Sequence, residues 1–204
     1  MKKILLIALL FFAAVSVEAQ VTLRPGIRAG ANLSSITGTD LDSKLDFYIG
    51  GFAALKLSKF YTLQPEVTYS RQGGKGDISL YDSNTGTYSQ RNVDLSLQYI
   101  SLSAISKFTL TDSFNVHIGP TFDIITNSNN YAYDDIDLGI TAGVGYTLPM
   151  GLTIEARVKK GIVEAVDTYY YSNNDDNYYG GGNGTNLVFS LGVSYSFQVT
   201  GSSK

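Results

Sequence analysis

The sequence has no cysteine, no tryptophan, a single histidine and only four prolines in 204 residues. Without thiols, no disulfide holds the fold and no thiolate is at hand as a nucleophile or soft metal ligand. With one imidazole, any histidine-dependent acid–base chemistry has only His117 to use. Charge is scarce as well: charged residues make up 16% of the chain, where an ordinary soluble domain carries roughly 25%. The formal net charge of -3, with no basic cluster, argues against nucleic acid as a partner.

Glycine, at 21 residues, and tyrosine, at 15, are abundant. At the start, Lys2 and Lys3 precede an apolar run from Ile4 to Val17, followed by Val17-Glu18-Ala19. That order of charge, apolar segment and small-x-small site predicts a signal peptide over residues 1–19, cleaved after Ala19 and exporting the chain by a Sec-type route. The run of about 14 apolar residues is short of the roughly 20 that a helix needs to span a bilayer. Because no cysteine follows it, lipid attachment at a new N-terminus is excluded. Residues 20–204 hold no Pro-rich, Ser-rich or charged linker and read as one domain.

Beyond residue 20 no helical period is sustained, whereas alternation with period two recurs eight times. The strands fall at about 24–34, 47–57, 60–72, 93–108, 114–126, 135–146, 152–163 and 187–197. In the third, Leu63, Pro65, Val67 and Tyr69 oppose Gln64, Glu66, Thr68 and Ser70. The second has two fairly apolar faces and its sides stay unassigned. The fourth reads as changing parity, with Leu95, Leu97 and Tyr99 on one side and then Ile100, Leu102 and Ala104 taking it over, which predicts a β-bulge near Tyr99.

The connections sort into two kinds. Those at 58–59, 109–113 and 147–151 are short; those at 35–46, 73–92, 127–134 and 164–186 are long and polar. Short turns at one rim, long loops at the other, an even strand count and both termini on the short-turn side form the layout of an outer-membrane barrel. Strand length agrees, because a tilted membrane strand needs about 9 to 11 residues. Aromatics gather near the short turns, at Phe60, Tyr61, Phe108, Phe114, Tyr146, Tyr195 and Phe197, as an interfacial girdle would require.

The face opposite the apolar stripes carries Arg28, Glu66, Asp123, Asp137, Glu155, Arg157 and Lys159 among Thr, Ser, Gln and Gly. That is a normal lumen for a membrane barrel and a very polar core for a soluble one. The expected fold is therefore all-β, an eight-stranded antiparallel up-and-down transmembrane β-barrel in the cell outer membrane. Eight strands leave a lumen just wide enough for side chains to fill. Arg28, Glu66, His117, Asp123, Asp137, Glu155 and Arg157 are the candidates for a lumen network, with Gly30, Gly119, Gly143, Gly145 and Gly192 leaving room for them.

Several stretches carry this pattern further: Gly26-Ile27-Arg28-Ala29-Gly30-Ala31-Asn32-Leu33-Ser34, Leu63-Gln64-Pro65-Glu66-Val67-Thr68-Tyr69-Ser70, Gly119-Pro120, Ala142-Gly143-Val144-Gly145-Tyr146, Glu155-Ala156-Arg157 and Ser190-Leu191-Gly192-Val193-Ser194-Tyr195-Ser196-Phe197. In this order they resemble the small porin-like outer-membrane β-barrel proteins typical of Bacteroidetes. The resemblance spans the mature chain, with two departures: Tyr99-Ile100 where the family often has proline after tyrosine, and seven residues after Phe197. It implies an eight-stranded barrel, usually of unknown activity, with some relatives serving protein secretion.

Catalytic chemistry has little to work with. His117 sits near the short-turn rim on the inward face, where a hydrogen-bonding role is expected. The acids Asp40, Asp42, Asp134, Asp135, Asp175 and Asp176 make no full ligand ladder for a hard cation, so they read as solvated loop acids. Gly181-Gly182-Asn183-Gly184 lacks the lysine and βαβ setting of a phosphate loop. The expectation is thus no catalytic residue, no metal and no cofactor. Tyr88, Tyr169, Tyr170, Tyr171, Tyr178 and Tyr179 lie in the long loops, and residues 78–88, turning at 83–86, are placed to continue the third and fourth strands as a hairpin. Exposed tyrosines offer rigid contact area with a polar tip. Expected partners are outer-membrane lipid, the barrel-assembly machinery during biogenesis and an extracellular glycan or protein. Three roles follow in order: a non-enzymatic barrel for envelope structure or surface interaction, an accessory component of a secretion or transport machine, and a soluble periplasmic lipocalin-like binding barrel.

Overall fold

A computed structural model describes residues 22–39, 41–82, 87–127, 136–163 and 184–197, with the side chains of 78–91 left aside. It contains eight strands: β1 Thr22–Ile36, β2 Asp42–Lys56, β3 Tyr61–Asp82, β4 Thr87–Thr109, β5 Phe114–Asn127, β6 Ile136–Thr147, β7 Leu152–Gly161 and β8 Asn186–Ser196. Each pairs antiparallel with its sequence neighbours, and β8 closes on β1 from Gly26↔Ser196 to Ile36↔Asn186. Closure leaves no sheet edge within the wall, so its backbone groups pair inside the sheet.

Period-two alternation dictates the rest. Outward-facing side chains on β5 are Phe114, Val116, Ile118, Pro120, Phe122 and Ile124; on β6 they are Ile136, Leu138, Ile140, Ala142, Val144 and Tyr146. Large apolar residues are left uncovered all round: Ile49, Val67, Ile118, Ile140, Phe189 and Leu191 are each about half exposed or more. On β1 the outward run from Leu23 to Leu33 covers about 25 Å at the usual rise and tilt, which is the height of a lipid-facing band. Outward charge first appears with Arg71, midway along β3, and with Lys160, at the long-loop end of β7. Such a wall is unfavourable in water and suited to hydrocarbon.

At the other rim the links are short, and polar groups close them. The Ser58 hydroxyl accepts from the Tyr61 N–H at 3.0 Å, the Thr111 hydroxyl accepts from the Phe114 N–H at 3.0 Å, and Gly151 takes φ 86 in the turn before β7. Outward aromatics sit beside these turns. The Tyr61 and Phe108 rings lie 5.4 Å apart, as do those of Tyr195 and Phe197.

β3 and β4 run far past their neighbours. Their register is unbroken from Tyr61↔Phe108 to Asp82↔Thr87, while β2 leaves β3 at Asp42↔Lys75 and β5 leaves β4 at Gln98↔Asn127. This single register corrects the bulge expected near Tyr99 on β4. From Val93 to Lys107 the odd-numbered residues face inward throughout: Leu97 is 0% exposed and Leu102 42%. The extra residue is Thr126, on β5, where Tyr99 pairs Ile125 and Gln98 pairs Asn127. What changes along β4 is the chemistry of the inward side, from Ser101 and Ser103 to Tyr99, Leu97 and Leu95. On β2, Tyr48 and Phe52 face inward and Leu45, Phe47 and Ile49 outward. The expected signal peptide lies outside the described residues.

Candidate functional site

The lumen is filled in two tiers. In the tier nearer the short turns, Glu66 on β3 and Glu155 on β7 meet Arg28 on β1 and Arg157 on β7. Arg157 donates to both Glu66 oxygens, from Nη1 to Oε2 at 2.8 Å and from Nη2 to Oε1 at 2.9 Å, and to Glu155 Oε2 at 2.9 Å. Arg28 donates to Glu66 Oε2 and lies 3.9 Å from Glu155 Oε2. Lys107 Nζ donates to Glu155 Oε1 at 3.2 Å, the Ser194 hydroxyl to the same oxygen at 3.0 Å, and Gln64 Nε2 to Glu66 Oε1 at 2.8 Å. Both carboxylates thus have their oxygens occupied, the condition under which buried charges are tolerated. Arg28 also stacks on the Tyr48 ring at 4.7 Å.

Inward glycines make the space. A Cβ on Gly143 would stand 2.7 Å from His117 Nε2 and 2.8 Å from Arg157 Cγ, and one on Gly192 would stand 2.2 Å from the Tyr48 hydroxyl. His117 packs over Gly143 with Nδ1 3.3 Å from Asn115 Oδ1, and its Nε2 has no hydrogen-bond partner among the described residues. No nucleophile hydrogen-bonds to it there.

Higher up, Asp123 and Asp137 face one another across β5 and β6. Lys159 donates to Asp123 Oδ2, and Asn186 Nδ2 donates to Asp137 Oδ2 at 3.0 Å and to the Tyr99 hydroxyl at 2.8 Å. Above this pair the lumen turns apolar. Ile36, Leu41, Val93, Leu95, Leu97 and Tyr99 pack into one buried cluster that fills it on the long-loop side.

All seven lumen candidates read from the sequence are therefore buried inside the barrel. Arg28, Glu66, Glu155 and Arg157 form one cluster; Asp123 and Asp137 form a second site; His117 stands beside the first without bonding to either carboxylate. Lys107, Lys159, Tyr99 and Asn186 complete these contacts and were absent from the expected network. Lys159 was visible on the polar side of its strand, but barrel tilt, not sequence spacing, brings it to Asp123. Of the loop tyrosines, Tyr88 lies in β4 opposite Tyr81, with its side chain outside the described set, and Tyr169, Tyr170, Tyr171, Tyr178 and Tyr179 lie outside the described residues altogether. Asp40, Asp134, Asp135, Asp175 and Asp176 are outside them too.

A closed eight-stranded barrel with an apolar band around its outer wall and a filled interior built around buried charges is an integral outer-membrane β-barrel. The chain belongs to the outer membrane protein beta-barrel domain family, whose model matches residues 4–197. Among solved structures, neisserial surface protein A is similar with a TM-score of 0.52 at 17% identity, covering 86% of this chain and 97% of that one. The attachment invasion locus protein Ail of Yersinia pestis gives 0.47 at 12% identity, covering 88% and 100%. OprG of Pseudomonas aeruginosa gives 0.49 at 11%, covering 90% and 100%. No curated protein sequence matches the chain. The family and the wall together place the protein in the outer membrane, which sets aside the soluble periplasmic barrel.

Proposed function

We propose that this is a non-enzymatic barrel, of the porin-like kind found in Bacteroidetes, that acts through its outer face rather than its pore. It supports the envelope or binds a glycan or protein through its long loops. The observation that carries this reading is the double obstruction of the lumen: the Arg28–Glu66–Arg157–Glu155 cluster fills it on one side and the Leu95–Leu97–Tyr99 cluster on the other. Eight-stranded barrels have no spare width around such contents. The paired β3 and β4 add reach beyond the rest of the wall.

Two measurements test it. In planar bilayers the purified protein is expected to give no large, stable conductance, and such a conductance would overturn the filled lumen. Deleting residues 78–91 and 165–182, each bridged by a short turn, is expected to abolish binding of cells to glycan or protein surfaces while leaving membrane insertion intact. Undiminished binding of the doubly deleted protein would remove the surface role.

A further inference from the structure

Three of the four prolines in the chain, Pro25, Pro65 and Pro120, fall in one row across the outer wall. Pro25 pairs Ala53 and Pro65 pairs Ala104, while the neighbouring pairs Phe52↔Glu66 and Ser103↔Thr121 place Ala53 beside Pro65 and Ala104 beside Pro120. All five side chains are short and stand at outward positions. With Gly51, the last four floor a hollow of about 750 Å³ in the lipid-facing wall, banked on one side by Val67, Leu102, Phe122 and Leu138. Ligand sites usually measure roughly 300–1,000 Å³.

Nothing in the packing of the wall calls for this hollow. Among the described residues, a Cβ on Gly51 would meet only the Gly26 carbonyl oxygen, at an ordinary 3.6 Å. The prolines even work against the sheet. β3 and β5 have partners on both sides, and the pairing lapses at Ala53 and Ala54 opposite Pro65 and Gln64, and at Ala104 and Ile105 opposite Pro120 and Gly119. Proline has no N–H to give, and hydrocarbon supplies no water in its place. Sheet rules broken at such a cost point to a function at that place.

Strands tilted by about 40° set the row about 50° from the barrel axis. Pro25 is the fourth residue of β1 and Pro120 the seventh of β5, so the row climbs from the short-turn rim into the lipid band. From Ala53 to Pro120 it covers three strand spacings, about 14 Å. The rim at its foot is basic: Arg24, Lys56 and Lys59 are exposed, and residues 22–27 and 51–62 contain no acid. Lys59 Nζ stands 4.8 Å from the centre of the exposed Phe60 ring, at the edge of the band.

We propose that this trough holds one acyl chain of an anionic phospholipid from the periplasmic leaflet, with its phosphate at Lys56 and Lys59. A narrow apolar trough that ends at a basic rim matches an amphiphile with one negative head, and lysine stems can lie along apolar surface while their ammonium groups stay at the interface. A second copy of the chain fits poorly. A trough of about 14 by 10 Å offers about 140 Å², against about 800 Å² per partner in a stable complex.

Native mass spectrometry of the full barrel, released from micelles containing phosphatidylglycerol, tests the site. One lipid is expected to stay bound at collision energies that strip all others. Gly51→Leu combined with Ala104→Leu fills the trough and is expected to lower that retention about tenfold, in protein whose heat-modifiable gel mobility shows it folded; Gly51→Val reads the same point if the pair does not fold. Lys56→Gln with Lys59→Gln is expected to weaken retention about fivefold per lysine and to remove a preference for phosphatidylglycerol over phosphatidylcholine. Equal retention in the wild-type and filled barrels, a graded series of lipids with no distinct first one, or a dimer that filling the trough abolishes overturns the proposal. So does unchanged lipid preference in the lysine variant.

Discussion

Glu66 shows how one side chain is held in this lumen. It is 3% exposed and accepts from Arg28, Arg157 and Gln64 at once. Removing its charge leaves two buried guanidiniums short of a counter-charge, a loss of about 3 kcal/mol for a broken buried pair. Glu66→Gln is therefore expected to lower the unfolding free energy by about that amount, measured by urea titration of the barrel in micelles. Arg157→Lys is expected to recover only part of the wild-type stability, because an ammonium cannot grip both Glu66 oxygens as the guanidinium fork does. The members of this cluster were legible as charges at inward parity on three strands. Their pairing was not, because Arg157 meets Glu66 across the lumen from 91 positions away in sequence.

At the scale of the strand, β4 separates what apolarity says from what it means. Leu97 and Leu102 are equally hydrophobic, yet one is inside and the other faces lipid. Leu102→Arg puts a charge in the hydrocarbon band and is expected to cost about 3 kcal/mol, read by the same urea titration. A cysteine at 102 is expected to be quenched by brominated lipid when labelled, whereas one at 97 is not; quenching at both would return the strand to the bulged reading. β3 carries a strained point of its own. Gly73 has φ 148, exchanges hydrogen bonds with the Ser34 hydroxyl at 2.9 and 3.0 Å, and leaves only 2.0 Å between a new Cβ and the Leu95 carbonyl oxygen. Gly73→Ala is accordingly expected to destabilise the barrel by about 2 kcal/mol, visible as a lower urea midpoint. Seven strands followed from alternation with their faces right or unassigned. The long-loop half of β4 did not, because an apolar residue pointing into a plug and one pointing into lipid leave the same mark in a sequence.

For the whole molecule, closure decides behaviour. Every strand has two partners, so opening the sheet exposes a row of unpaired backbone groups that lipid cannot satisfy. The folded protein is expected to keep its compact form in sodium dodecyl sulfate at room temperature and to change gel mobility only on boiling. A single mobility before and after boiling, together with recovery in the periplasmic fraction, would contradict a membrane barrel. Leu97→Ala is expected to leave bilayer conductance at baseline, because the Glu66 and Glu155 cluster still fills the other tier.

The sequence by itself determined the strand count, the sorting of short turns from long loops and, on six of the eight strands, the side that meets lipid. Alternation and turn chemistry are local properties, readable within about ten residues. Only the tertiary structure decided which charges meet and that the upper lumen is apolar. Those depend on barrel tilt and register, which bring together residues far apart in the chain, and no local pattern encodes that distance.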